Sequence, residues 1–336
     1  MSRKARFALI PDQVVIRLDK FRVYFYNHHL MALLSTTYLL RLWAESFVFR
    51  LSHLILLPAR IRLLIARPSD TWLSYEDLTL LNDQHKREEN LSSQKEILQQ
   101  QKWARRVAQI ADIFQAQNIL EVGCGNGMAA FHLVDPRREI YATDLADHLY
   151  PQVKDSPVIF STGDVCQELP YESDSFDLVF SINSFEHFYS PETALDEMLR
   201  VLRPDGFLFL AFSPLYYSPW GVHASRRLRF PYPQLLFSPY TIHQFVEQNK
   251  AALANTYSDF ADRNKIGPDL NAYSLDQYRQ IFKAQRSRLK DLAYVEVVSL
   301  EGLHLIHRYP GIIKTKIPSA QLLFVSGIKL LARKRR

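Results

Sequence analysis

Three glycines in one turn are the clearest chemical signal in this chain. Gly123, Gly125 and Gly127 lie within five residues of the stretch ILEVGCGNGMAA, although the chain has only ten glycines among 336 residues. Glycine costs roughly 0.5–1 kcal/mol relative to alanine inside a regular element, so this clustering needs a backbone reason. We infer that a ligand comes close to the backbone of this turn.

Short apolar runs carry this turn and recur at intervals of roughly twenty to thirty residues, as parallel strands covered on both faces do. The runs are NILEV at 118–122, EIYAT at 139–143, VIFST at 158–162, DLVFSI at 177–182 and GFLFLAF at 206–212. Helices are predicted over about 93–116 and from Pro191, with Ser190 as the cap. The sequence therefore predicts an open, doubly wound, mostly parallel α/β sheet.

Four segments follow from this pattern. Residues 1–92 are predicted to be a helical N-terminal extension with little strand character, and residues 93–214 the ligand-binding core. Residues 215–313 contain a Pro- and aromatic-rich lid, further helices and a late edge strand in LAYVEVVSLEGL. Residues 314–336 are predicted to be a basic amphipathic helical tail, because apolar residues recur at helical spacing before a cationic cluster. Those residues are Ala320, Leu323, Phe324, Ile328 and Leu331.

The formal net charge of +6 is divided unevenly along the chain. Residues 1–70 hold eleven basic and four acidic residues, for +7, and residues 314–336 hold seven basic residues and no acid, for another +7. The middle of the chain therefore carries −8, which is 6 − 14. A nucleic-acid enzyme is expected to put basic charge on its catalytic domain, so nucleic acid is not the expected partner. The basic ends favour an anionic membrane surface.

Several features bear on where the protein works. Charged residues interrupt every early apolar stretch, so no secretory signal is predicted, and Cys124 and Cys166 have no zinc-ligand spacing and favour a reducing compartment. Residues 30–66 are apolar and contain arginines, and they either lie in a membrane interface or cover the core. We expect a cytoplasmic protein and hypothesise peripheral attachment to anionic membranes.

A glycine turn after the first strand of a parallel sheet is typical of a site for a nucleotide-containing cofactor, and two cofactors compete. GNGMAA fits a dinucleotide pattern through Gly125, Gly127 and Ala130, with Asp144 near the distance of a ribose-binding acid. That pattern alone is weak, so the dinucleotide stays open at this point.

Further motifs, in order over residues 118–214, resemble those of a class I S-adenosylmethionine-dependent methyltransferase domain of the type 11 kind. LEVGCGNG is similar to the family's first motif, YATDLA to its second and STGDV to its third. DSFDLVFSINSFEHF and EMLRVLRPDGFLFLAFSP are similar to its fourth region and the strand that follows. The resemblance implies S-adenosylmethionine as cofactor. Carboxylates suit its sulfonium cation, whereas they repel the phosphates of a dinucleotide.

The resemblance also implies which residues hold the cofactor. Glu121 would lie near the amino group of the methionine portion, and Asp144 would accept both ribose hydroxyls. Asp164 would accept from the adenine amine while the N–H of Val165 donates. The other expected cofactor positions are Gly123, Cys124, Gly125, Gly127, Leu145 and Asn183. Purely structural roles compete, because aspartates cap helices and glycines make tight turns.

A hydroxyl acceptor must lose its proton, so histidines near the cleft are candidate bases. His223, on the predicted lid, is the favoured catalytic residue, and His187, after the fourth strand, is the runner-up. An ordinary packing or loop role is an open alternative for each. Expected substrate contacts on the lid are Tyr216, Tyr217, Trp220 and Arg226.

The sequence therefore predicts S-adenosylmethionine-dependent methyl transfer to a small or lipid-linked acceptor, at oxygen. A non-catalytic membrane-surface scaffold on the same fold and an NAD-dependent dehydrogenase remain as alternatives. The motifs specify neither the acceptor nor the oligomeric state, and no metal is expected.

Overall fold

The computed structural model describes residues 14–18, 21–25, 55–85, 93–222, 228–249, 270–320 and 322–336. Two short strands, β1 (Val14–Leu18) and β2 (Phe21–Phe25), pair as an antiparallel hairpin. A seven-stranded sheet follows. Its strands are β3 (Asn118–Val122), β4 (Glu139–Asp144), β5 (Ile159–Thr162), β6 (Phe176–Ile182), β7 (Leu202–Phe212), β8 (Leu289–Val298) and β9 (Val325–Lys334).

The strands of this sheet lie in the order β5-β4-β3-β6-β7-β9-β8, and β3 to β7 run parallel. The chain winds outward from β3 to β5 and then returns to β6 on the other side of β3, so the direction of winding reverses between β3 and β6. At such a switch point the loops after the two strands part and leave a crevice for a ligand. The predicted open, mostly parallel α/β sheet is confirmed, together with the late edge strand.

Helices cover both faces of the sheet. They are α1 (55–65), α2 (Tyr75–Gln84), α3 (Ser93–Phe114), α4 (Met128–Phe131), α5 (Pro151–Lys154), α6 (Pro191–Val201), α7 (Pro233–Leu236), α8 (Pro239–Gln248), α9 (Leu275–Ala284), α10 (Leu303–Arg308) and α11 (Pro310–Lys316). Helices α6 and α9 pack on one face and α3 on the other. Ser190 precedes α6 but makes no side-chain cap, because its hydroxyl bonds Thr193 Oγ1 at 2.7 Å.

Buried residues pack on each face of the sheet, and a further group of them lies beyond the carboxyl end of β7. We call this group the helical cluster. It joins α1, α2, residues 228–237, α10, α11 and the turn before β9 through Leu56, Leu63, Leu78, Phe230, Phe237, Leu305, Ile313 and Phe324. Residues 228–237 of the expected lid therefore belong to this cluster, since burying large aromatic side chains is favourable.

The helical form predicted for the basic tail is wrong. Val325–Lys334 of this tail form β9, which pairs antiparallel with both β7 and β8. Ile328, Leu330 and Ala332 are buried at alternate positions, which is the period of a strand. Apolar residues also flank these positions, so the same stretch satisfies a helical spacing as well. The strand forms because the edge of β7 is available for pairing.

Three cations of this tail pair with carboxylates of the chain's earlier segments. Lys334 Nζ lies 2.7 Å from Asp174 Oδ1, and Arg333 and Arg336 pair with the carboxylate of Asp205 at 3.1 and 2.6 Å. The segment therefore completes the fold, and its positive charge is partly neutralised there.

The N-terminal extension also differs from expectation, because β1 and β2 are strands. Val14, Val15 and Ile16 are β-branched and favour that conformation. The helices expected in this extension are present as α1 and α2, while residues 26–54 lie outside the described ranges. Among the described residues, none of the helices combines the length and apolar character needed to cross a bilayer.

We expect Ile328→Ala to lower the free energy of unfolding by about 2–5 kcal/mol, because it leaves a cavity in the sheet. Urea denaturation followed by circular dichroism measures the change. Ile159→Ala, at a side chain that is 47% exposed on the opposite edge strand, is the control and should cost much less. Equal effects at the two positions would contradict a buried, central β9.

Candidate cofactor and acceptor site

The glycine turn follows β3 and has left-handed backbone at all three glycines, with φ of +73° at Gly123, +53° at Gly125 and +74° at Gly127. A Cβ at Gly123 would lie 2.5 Å from Ser184 Cβ, and one at Gly127 would lie 2.5 Å from Leu149 Cδ2. At Gly125 a Cβ would meet no described atom within 4 Å. The turn is thus packed at its two ends and open at its middle, where a ligand can reach the backbone.

Asp144, the last residue of β4, is joined to the middle of this turn. The Gly125 N–H donates to its Oδ2 at 2.7 Å, and the Leu145 N–H donates to its Oδ1 at 2.7 Å. A carboxylate has about four acceptor positions, so two remain for hydroxyl groups of a ligand. Leu145 is 70% exposed beside it, an apolar surface that a flat ring could cover.

Glu121 lies on β3 directly beneath the turn and is buried. Its Oε2 accepts the N–H of Ala130 at 2.8 Å. Burial, together with the nearby charge of Asp144 and against the lowering effect of the bond from the Ala130 N–H, raises the pKa of Glu121 to about 8. A buried carboxyl of this kind favours a cation beside it, because the cation stabilises the ionised form.

Asp164 follows β5 and already holds a local network. Its Oδ1 accepts the N–H of Cys166 at 2.9 Å, while its Oδ2 accepts from Gln167 Nε2 and from the Tyr189 hydroxyl, each at 3.0 Å. About one acceptor position of the carboxylate remains. The residue therefore has a turn-forming role in addition to any contact with a ligand, and Val165 beside it is buried.

The loop after β6 closes the other side of the crevice. Asn183 has a left-handed φ of +51°, and its N–H donates to Ala211 O at 2.8 Å. Ser184 Oγ donates to Gly123 O at 2.7 Å, which explains why position 123 has no room for a side chain. The N–H of His187 donates to Ser184 O at 2.9 Å, so His187 belongs to the loop that contacts the glycine turn.

A second layer of contacts holds this loop, and few of its residues could be recognised from the sequence. The Asn271 N–H donates to Glu186 O at 2.8 Å, and Asn271 Nδ2 donates to Phe188 O at 3.0 Å. Tyr278 on α9 donates to Asn271 Oδ1 at 2.8 Å, and buried Glu186 accepts the Ser213 N–H at 3.2 Å. Of these residues, only Glu186 could have been noticed in the sequence, as a carboxylate in an apolar stretch beside His187.

The expected substrate contacts are partly built into the core. Tyr216 and Tyr217 lie edge to face with ring centroids 5.1 Å apart, and burial raises the pKa of both phenols. The Trp220 indole N–H donates to the Glu301 carboxylate, which ties this ring to the loop before α10. His223 and Arg226 lie outside the described residues.

Taken together, these groups fit a ribose-containing cation better than a dinucleotide. The Gly125 N–H, which a diphosphate would need, is taken by the Asp144 carboxylate, and a second carboxyl lies beneath the turn at Glu121. Phosphates would be repelled by the Asp144 carboxylate, whereas a sulfonium or ammonium group is attracted. Burial raises the pKa of the Cys124 thiol, which keeps it protonated and favours its role as a filler in the turn.

Comparison with known proteins gives an independent result for this part of the chain. Residues 120–210 match a family model described as a methyltransferase domain. The chain is similar to 27-O-demethylrifamycin SV methyltransferase of Amycolatopsis mediterranei, with 30% identity over 129 residues, 35% of this chain and 47% of that protein. It is also similar to malonyl-[acyl-carrier protein] O-methyltransferase of Porphyromonas gingivalis, with 31% identity over 123 residues, 36% of this chain and 48% of that protein.

The chain thus spans about half the length of these curated relatives. Among solved structures, a SAM-dependent methyltransferase from Aquifex aeolicus aligns with 78% of this chain and 98% of its own, at 13% identity and a TM-score of 0.39.

The raised pKa of Glu121 leads to a prediction about protons. At neutral pH the carboxyl is largely protonated, and a bound ammonium group favours the carboxylate, so S-adenosylhomocysteine binding should release a proton from Glu121. Calorimetric titration in two buffers of different ionisation enthalpy measures this release, and Glu121→Gln should lose it. Equal proton release by parent and variant would contradict the assignment.

The same group affects stability. Its pKa in the folded protein is about 8, above the ordinary value of 4.5, so the folded state binds the extra proton. The free energy of unfolding should therefore fall as pH rises between these two values. Glu121→Gln should show a shallower fall over that range in urea denaturation.

Proposed function

We propose that this chain, which through residues 120–210 belongs to the class I S-adenosylmethionine-dependent methyltransferase family, transfers a methyl group to a hydroxyl oxygen of a small or lipid-linked acceptor. The observation that carries the proposal is the Asp144 carboxylate fixed at the open middle of the glycine turn, at the switch point of the sheet. Both similar relatives described above are named for methyl transfer, and their names specify oxygen.

S-adenosylmethionine, when bound, supplies a methyl group activated by a positively charged sulfur. The chain's own residues would orient it. Asp144 would accept the ribose hydroxyls with its two remaining acceptor positions, and the open backbone at Gly125 would lie against the methionine portion. Glu121 would neutralise the ammonium group, and Asp164 would accept from the adenine amine. Much of the rate enhancement of such a site comes from orientation and exclusion of water.

A hydroxyl acceptor also requires removal of its proton. We propose that either His187 or His223 accepts that proton as the oxygen bonds to the methyl carbon and the carbon–sulfur bond breaks. His187 lies on the loop that contacts the glycine turn through Ser184, which supports a place facing the acceptor. His223 follows the aromatic segment of Tyr216 and Tyr217 and remains the other candidate.

Cofactor identity is tested by calorimetry with S-adenosylmethionine, S-adenosylhomocysteine and NADH. We expect micromolar binding of the first two and a loss of about 10–100-fold in Asp144→Asn, since hydrogen bonds to a charged group contribute roughly 1.5–3 kcal/mol. Asp155→Asn is the matched control, at an exposed acid at the end of α5. Tight NADH binding without response to either sulfur compound would favour the dehydrogenase alternative.

The base is tested by single-turnover methyl transfer to an acceptor found by screening with labelled cofactor. Removing the true base should lower turnover by about 10²–10⁴-fold with cofactor affinity nearly unchanged. His187→Ala and His223→Ala are compared with His243→Ala, a control on the exposed face of α8. If both test variants keep turnover within a few-fold of the parent, orientation alone explains the chemistry. A screen that finds no acceptor would favour the scaffold alternative.

A further inference from the structure

Helix α1 is apolar on both of its faces. Its inner residues Leu56, Ala59 and Leu63 are buried in the helical cluster. Its outer residues are also apolar and follow helical spacing, and they are Leu57, Ile61, Leu64 and Ile65. Leu64 and Ile65 are 71% and 70% exposed. A surface helix ordinarily turns a polar face outward, so this outer stripe requires an explanation.

Contacts with α11 hold helix α1 in place, so the residues of the outer stripe have a fixed position. Lys314 Nζ donates to the carbonyls of Leu64 and Ala66 at 2.8 and 3.1 Å, at the end of the helix. The Ser69 N–H then donates to Gly311 O at 3.1 Å. The exposed side chains are therefore a feature of the packed fold.

An aromatic residue and several cations border the stripe. Trp72 is 40% exposed, and Lys316 Nζ lies 4.3 Å from its ring centroid. Arg62 and Arg67 are exposed, and neither forms an ion pair with a described carboxylate. In sequence, the segments 55–74 and 310–316 contain five basic residues and one acid, Asp70. Apolar side chains with Trp at the edge and basic residues around them are typical of membrane-interface surfaces.

We propose that the outer face of α1, with Trp72 and the cations Arg62, Arg67 and Lys316, docks on an anionic membrane surface. This goes beyond methyl transfer and is independent of the acceptor. A second copy of the chain is the main competing occupant. A symmetric dimer through this face would bring the same patch of each copy together, and its cations would then repel one another, whereas anionic headgroups attract them.

The position of this face also suits a membrane role. The helical cluster beneath it contains Phe230 and Phe237, from the segment that follows β7, and Phe324, directly before β9. Tyr232 in that segment donates to Leu323 O at 2.9 Å. The docking face is thus built on the carboxyl end of the sheet, the end that also carries the glycine turn.

The test is sedimentation of the full chain with phosphatidylcholine vesicles, with and without phosphatidylserine. We expect binding that needs phosphatidylserine and falls with salt. Leu64→Glu combined with Ile65→Glu should reduce partitioning at least about tenfold, and Arg62→Glu combined with Lys316→Glu should reduce it by a similar factor, since each basic residue near an anionic surface contributes about fivefold. Matched controls on other surfaces are Tyr240→Glu, at a residue 76% exposed on α8, and Lys283→Glu on α9.

Thermal unfolding of each variant establishes that it is folded, and light scattering gives its mass. The proposal is overturned if the α1 variants partition within twofold of the parent, or if the controls lose binding equally. It is also overturned in favour of a second copy if the parent is a dimer that the α1 variants dissociate while vesicle binding is unchanged.

Discussion

The bond from the Gly125 N–H to the Asp144 carboxylate is the contact on which the candidate site depends. It joins the loop after β3 to the end of β4, and it puts a negative charge at the position where a dinucleotide fold would keep a free N–H for phosphate. The backbone donor that a diphosphate would use is therefore already bonded within the protein. The left-handed backbone at Gly125 is what allows the N–H to turn toward the carboxylate.

This contact has its effect only because the parallel sheet brings neighbouring strand ends together. Strand β3 pairs with β4 on one side and with β6 on the other, so the loop after β6 reaches the turn from the opposite direction. Ser184 Oγ then donates to Gly123 O, at a distance that excludes any side chain at position 123. The turn is held from both sides, and its middle alone stays open.

The elements of the fold that could be predicted are those whose local sequence pattern is compatible with only one kind of secondary structure. Apolar runs alternating with helices predict β3 to β7, and the resemblance of the motifs after β4 and β5 to a methyltransferase domain points to Asp144 and Asp164 as candidates. The last strand could not be predicted, because its residues satisfy both helical and strand periods until β7 offers an unpaired edge. Likewise, Tyr189 and Asn271 enter the site through contacts between distant segments, which no local pattern encodes.

The two basic ends of the chain show why composition alone is a weak guide to partners. At the C-terminal end, Lys334 and Arg336 pair with the carboxylates of Asp174 and Asp205, so this charge is partly neutralised within the chain. Around α1, Arg62 and Arg67 have no such pairing within the described residues, and they border side chains that remain apolar and exposed. The same net charge therefore has two different uses. The burial of the neighbouring apolar residues distinguishes the two cases. The apolar residues of β9 are buried within the sheet, whereas one of the two apolar faces of α1 is exposed.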